Sequence, residues 1–157
     1  MAILELKCGG KALVDDADLP LVSQWEWRSN PGGYVCRYEN KKVFLLHRVI
    51  LGAKAREIVD HRDGDGLNNR RSNLRLCTHA QNMRNRKKHS HSQMRFKGVE
   101  VDRRKGRESW RARIRVDGRQ IRSGRVPDDR TTARLYDLMA EQYHGEFART
   151  NASLGLL

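Results

Sequence analysis

The chain has 157 residues, enough for one ordinary domain or two small ones, and with 38% hydrophobic and 6% aromatic residues its core is modest. A formal net charge of +13 calls for a polyanionic partner, nucleic acid ahead of an anionic membrane surface. Cys8, Cys36 and Cys77 are odd in number, scattered and without a Cys-x-x-Cys spacing, which argues against a disulfide framework and against a structural zinc site. No apolar run has signal-peptide or transmembrane character, so the expectation is an intracellular, reduced protein without a membrane partner.

Residues 1–52 read as a β-rich platform. Ala2–Leu6 and Ala12–Val14 are short strand candidates around the turn Cys8-Gly9-Gly10-Lys11. Asp15, Asp16 and Asp18 precede Leu19-Pro20-Leu21-Val22, which predicts a capped helical turn. Trp25 and Trp27 alternate as in a strand. After Gly32-Gly33, Tyr34–Tyr38 and Val43–His47 form a hairpin about Glu39-Asn40-Lys41.

Residues 53–90 run strand, long polar loop, strand, helix, and end in a basic linker. Asp63-Gly64 and Asp65-Gly66 are turn dipeptides, and Leu67-Asn68 breaks the spacing of a calcium-binding EF-hand loop. Leu74–Cys77 is a short strand. Thr78-x-x-Gln81 is a capping box that starts a helix. In the linker, His89-x-His91 lacks a partner cluster and reads as solvated.

Residues 91–157 form a further module. Between Arg84 and Arg125 stand 16 Lys/Arg and 4 Asp/Glu, so nearly all the excess charge lies in this quarter of the chain. Lys97–Val101 is a strand, Trp110–Val116 alternates strictly, Asp117-Gly118 signals a type I′ turn, and Arg119–Gly124 returns. A helix starts at Asp128 or Asp129, with Leu135, Tyr136, Met139 and Tyr143 on one face and Gly145 as its stop. Trp110, Ala112, Ile114 and Val116 face that helix. Arg111, Arg113 and Arg115 then project together from the other side, and a two-residue turn sets Arg122 opposite Arg113. The fold class is α+β: a β-rich N-terminal region, a ββα motif, then a three-stranded antiparallel sheet packed on one helix.

The chemistry concentrates between Asp60 and Asn82. Phosphodiester hydrolysis needs a base for the attacking water and positive charge for the phosphoryl and departing oxygens. A neutral imidazole at His61 suits the first task. A Mg²⁺-like ion on the oxygens of Asp60 and Asn82 suits the second. Neighbours in a regular strand point to opposite faces, so Asp60 and His61 converge only where the strand ends or bends.

This segment resembles the ββα-metal motif of the HNH endonucleases in its His–Asn–Asn variant, as found in phage and intron homing enzymes, and Leu46-His47-Arg48-Val49-Ile50 is similar to the segment that precedes it there. The resemblance implies His61 as general base, Asp60 and Asn82 as ligands of one Mg²⁺ or Mn²⁺, and Asn73 as the residue that holds the loop and orients the histidine. Asn82 stands where the family name has its final His. The second module resembles AP2/ERF-type DNA-binding domains through Phe96-Lys97-Gly98-Val99, Trp110-Arg111-Ala112-Arg113-Ile114, Arg134-Leu135-Tyr136-Asp137 and Tyr143–Ala148. It implies double-stranded DNA contacts through Arg111, Arg113, Arg115 and Arg122, with Arg95, Lys97 and Arg103 as further candidates.

The leading expectation is a homing-type, metal-dependent DNA endonuclease that nicks as a monomer or cuts both strands as a homodimer. A sequence-specific DNA-binding regulator with an inactive nuclease centre is the alternative. A nuclease directed at RNA ranks below both, because the sheet has few exposed aromatics to stack unpaired bases.

Overall fold

Alternation makes Ala2–Glu5 (β1) and Lys11–Val14 (β2) an antiparallel pair, with Leu4 opposite Ala12. The computed structural model describes residues 1–88, 92–104 and 107–157, apart from the side chains of Arg104 and Arg107; the His89-x-His91 pair lies outside the described residues. The chain divides into two units, Met1–Asn82 and Met83–Leu157. Its architecture is mixed α+β, with small antiparallel sheets and short helices.

In the first unit, Leu4, Leu6, Ala12, Val14, Val22, Trp27, Val35, Leu46, Ile50 and Leu74 form the core. The predicted helical turn is α1 (Leu19–Val22), but Asp18 does not cap it. Its backbone is αR, and its carboxylate instead takes two guanidinium nitrogens of Arg71, at 2.7–3.1 Å. A charge-assisted fork outcompetes a single N–H.

Trp25 and Trp27 are not in a strand; only Arg28–Ser29 (β3) pairs with Val35–Glu39 (β4). Trp27 is a core anchor, its indole N–H donating to the Val22 carbonyl at 2.8 Å. The hairpin of β4 with Lys42–Leu45 (β5) turns at Asn40 and Lys41, both with positive φ. The strand expected to reach His47 ends at Leu45, and Leu46–Leu51 is a helix, α2. Leu46 and Ile50, four residues apart, are both buried, as a helix face requires. Gly52, left-handed at φ 59, ends α2, its N–H directed at the Arg48 and Val49 carbonyls.

Ile58–His61 (β6) pairs antiparallel with Leu74–Cys77 (β7), and His79–Arg84 (α3) follows. The capping box forms as read: Gln81 N–H donates to Thr78 Oγ1 at 3.2 Å, and Thr78 N–H to Gln81 Oε1 at 2.8 Å.

In the second unit, Val99–Arg104 (β8), Arg107–Val116 (β9) and Arg119–Arg122 (β10) form one sheet in the order β10-β9-β8. Asp117 and Gly118 both have positive φ, the signature of a type I′ turn. Asp129–His144 (α4) covers the sheet, its first turn capped by Asp128, which accepts the Thr131 N–H at 2.7 Å. Ala112 and Ile114 pack on Tyr136 and Ala140, and Trp110 joins Phe96, Val99 and Ala133. Of the expected face, Tyr136 is buried and Leu135 and Met139 pack beside it, but Tyr143 is exposed; the buried residues of α4 are Thr132, Ala133, Tyr136, Asp137, Ala140 and His144. Asp137 accepts from the backbone N–H of Asn151 and Ala152 and from Asn151 Nδ2, while Asn151 Oδ1 accepts the Lys97 N–H, which closes the C-terminal segment onto the helix.

Candidate functional site

Strand β6 ends at His61, and residues 62–73 return to β7 as a tightly bonded loop. Asn73 is its internal tie. Its Oδ1 accepts the Asp63 N–H at 3.1 Å, and its Nδ2 donates to Asp63 Oδ1 at 2.9 Å and to the Asn68 carbonyl at 2.7 Å. Burial raises the Asp63 pKa, but the N–H groups of Asp65, Asn68 and Asn73 outweigh it and hold the carboxyl below its usual range. The platform clamps the loop from outside: Leu13 N–H donates to the Leu67 carbonyl and Asn69 N–H to the Leu13 carbonyl, both at 2.8 Å. Asp15 accepts the Arg71 N–H at 2.8 Å.

The clamp fixes Asn69, which the sequence reading did not single out. It is fully buried, donates through Nδ2 to the Gly66 carbonyl at 3.1 Å, and presents Oδ1 to His61 Nε2 at 3.3 Å. An amide that donates on one side accepts on the other. The contact with that oxygen favours the tautomer of the neutral ring in which His61 Nε2 carries the proton. His61 is 4% exposed, and its pKa is lowered, chiefly by burial; the Asn69 bond and the charges of Asp63, Asp60 and Asp65 pull the other way.

His47, on α2, packs edge-on against His61 with ring centroids 5.0 Å apart, and Tyr34 lies 5.5 Å from His47 and 5.8 Å from His61. Burial depresses the His47 pKa to about 4 from 6.5. The unfolded chain therefore binds a proton near pH 6.5 that the folded chain refuses until about pH 4. Stability is lost as pH falls through that window, by about 3 kcal/mol at its acid end. Urea unfolding at pH 7.5, 6 and 4.5 checks this: His47→Phe should flatten the acid limb relative to wild type.

Asp60 faces its cross-strand partner Arg75, whose Nε lies 2.9 Å and whose terminal nitrogen lies 2.8 Å from Asp60 Oδ2; both side chains are buried. Asp60 and His61 thus have different neighbours, as alternation along a strand demands. Asn82 is half-buried in α3, its N–H bonded to the Thr78 carbonyl at 3.0 Å. Burial, then the Asp60 charge, raise the Cys77 thiol pKa, against the opposing pull of the Arg75 charge and the Asn82 backbone. Among the described residues, no three His, Cys, Asp or Glu side chains group as a metal site.

A family model described as HNH endonuclease matches residues 44–84, the span from Phe44 through α3. A protein of Acanthamoeba polyphaga mimivirus, named as the uncharacterized HNH endonuclease L560, is 34% identical over 137 residues, covering 84% of this chain and 70% of that protein. This chain belongs to the HNH endonuclease family. No solved structure matches it. Membership in the HNH family carries nuclease chemistry on nucleic acid and general dependence on a divalent metal. No helix among the described residues is long and apolar enough to cross a membrane.

In the second unit of this HNH chain Arg111, Arg113 and Arg115 alternate along β9 and Arg122 joins them from β10, whereas Arg103 alternates with Glu100 and Asp102 and falls on the other face. Arg113 stands opposite Arg122 in register, and like charges so placed repel. Glu100 resolves the clash by pairing with Arg122 at 2.7 Å and Arg113 at 3.4 Å, and Asp102 pairs with Arg125 at 3.2 Å and Arg111 at 3.4 Å. Sequence reading missed both carboxylates, although strict alternation from Val99 puts them on the arginine face. Arg113 and Arg122 remain exposed, and Arg115 is exposed beside the turn, its Nε 3.3 Å from the Gly118 carbonyl. Arg95 lies over the Phe96 ring, and Arg103 pairs with Glu108 at 2.9 Å. The Lys97 ammonium points inward, donating to the Arg84 and Arg86 carbonyls at 3.1 and 2.7 Å, and burial lowers its pKa to about 8.

Proposed function

We propose that this chain is a homing-type, site-preferring DNA endonuclease in which His61 is the general base and Asp60 and Asn82 hold one Mg²⁺ or Mn²⁺. The observation that carries the reading is the buried contact between His61 and Asn69, which supports a neutral imidazole with its proton on Nε2 and Nδ1 as the nitrogen that takes the proton. Water attacking a phosphodiester gives its proton to that nitrogen. Asn73 keeps the loop closed, so the imidazole is presented in one place. The Asp60 carboxylate and Asn82 amide are hard oxygen donors and would suit a hard divalent ion. Bound there, the ion supplies positive charge for the phosphoryl and departing sugar oxygens. The products are 5′-phosphate and 3′-hydroxyl ends. One centre per chain favours nicking by a monomer; cutting both strands takes a homodimer or two successive events.

The three-stranded sheet on α4 is the architecture expected of an AP2/ERF-like DNA-binding domain, and its exposed Arg113, Arg115 and Arg122 support a role in gripping duplex DNA. Arg111 joins them once Asp102 yields to phosphate, whereas the inward ammonium of Lys97 favours a bracing role. Measured by duplex binding across a salt series, Arg113→Ala and Arg122→Ala should each reduce the slope of log K against log salt by about 1.

The Arg75–Asp60 ion pair favours one alternative, a DNA-binding regulator with an inactive centre, in which the guanidinium takes the cation's place. Plasmid nicking with Mg²⁺, with and without EDTA, separates the two. Nicking that EDTA stops and Asn82→Ala weakens supports the nuclease; tight, salt-sensitive binding without any nicking supports the regulator.

A further inference from the structure

We propose that His47, which lies outside the ββα motif, is a positioning residue that fixes the ring plane of His61. The inference rests on the nuclease reading.

The second side-chain torsion of a histidine is broad and roughly two-fold, so a strand end does not by itself set the plane of an imidazole. The Asn69 contact, at 3.3 Å, is a single long hydrogen bond that selects a nitrogen and leaves the ring room to tilt about it. Ring packing adds what that contact lacks. His47 meets His61 at an interplanar angle of 82°, an edge-to-face arrangement that is lost when either ring rotates.

His47 is itself held rigidly. It is 5% exposed, and its Nδ1 is buried with no hydrogen-bond partner among the described residues. A buried polar nitrogen of that kind is costly where an apolar side chain would fill the space, so a histidine here implies a use for the ring. Its neighbours in α2, Leu46 and Ile50, are core residues together with Leu74 of β7. Arg48 ties α2 to the segment that leads into β6, donating to the carbonyls of Lys54 at 2.6 Å, Ala53 at 3.4 Å and Glu57. The helix that carries one ring is therefore laced to the strand that carries the other. Tyr34 closes the cluster on its solvent side, being 43% exposed while touching both imidazoles.

The test uses the full chain and two substitutions of similar bulk. His47→Phe keeps a flat ring against His61; His47→Leu fills the space without one. With supercoiled plasmid and Mg²⁺, His47→Phe should stay within about threefold of the wild-type kcat, and His47→Leu should lose tenfold or more with KM for DNA unchanged. The two variants should unfold at closely similar temperatures. Equal kcat in the two variants overturns the proposal, as does a loss in His47→Leu that moves with KM or with unfolding temperature alone.

Histidine-ring ¹⁵N spectra of the metal-free protein give a second reading that needs neither turnover nor a well-folded leucine variant. Wild type and His47→Phe should show one tautomer at His61 and ring-proton contacts between positions 47 and 61. Absence of ring-proton contacts between positions 47 and 61 in wild type overturns the proposal. A wild type that binds duplex and never nicks overturns the nuclease reading, and the ring spectra then decide the packing claim alone.

Discussion

Replacing His61 by alanine is expected to slow DNA nicking by roughly 10²- to 10⁴-fold, the range associated with loss of a positioned general base. Binding of duplex, measured at the same salt, should change little, because the exposed arginines lie in the other unit. His61 is buried, so the alanine variant also leaves a cavity, and unfolding temperature must be followed alongside rate. His61→Gln supplies the control. Its amide can still donate toward Asn69, but it cannot take a proton from water at neutral pH. Equal loss in both variants, with folding intact in the glutamine form, isolates the proton-accepting nitrogen. Nicking that persists in both would remove His61 from the chemistry.

Gly98→Ala should be the most damaging single methyl in the second unit. A Cβ built there would lie 1.9 and 2.1 Å from two ring carbons of Tyr136, and Gly98 has φ +71, a region costly for any residue with a side chain. Tyr136 cannot step aside, since it is packed against Ala112, Ile114 and Ala140. Strain and overpacking together should cost about 3 to 5 kcal/mol. Calorimetry would show the transition of the second unit falling by tens of degrees or vanishing, with that of the first unit unmoved. Loss of DNA binding should follow. A Gly98→Ala protein with wild-type unfolding would contradict the Gly98–Tyr136 contact.

What the sequence disclosed was decided within a few residues. Thr78 and Gln81 bond each other's N–H groups, so the start of α3 is written in four positions. Asp117-Gly118 fixes its own turn, and the alternation from Trp110 to Val116 then sets Arg122 opposite Arg113. The helix α2 was hidden because Leu-Leu-His-Arg-Val-Ile-Leu is apolar almost throughout, and a short buried helix and a buried strand look alike in such a run. Asn69 and Arg75 were hidden for another reason. Their partners are chosen by the register of β6 against β7 and by contact with Leu13, which no local pattern encodes. Asp18 misled for the same reason, its acceptor being claimed by Arg71, 53 positions later.

The pairing of Leu13 with Leu67 and Asn69 has a temporal consequence. During synthesis the β1–β2 hairpin leaves the ribosome well before the loop of residues 62–73 does. An isolated two-stranded hairpin is marginal in water, and Leu4, Leu6, Ala12 and Val14 share their core with Leu74 beyond the loop, so hairpin and loop settle together once Leu74 has been made. A graft of the ββα segment alone into another host would lack the β1–β2 hairpin, and should be inert until the hairpin is supplied with it.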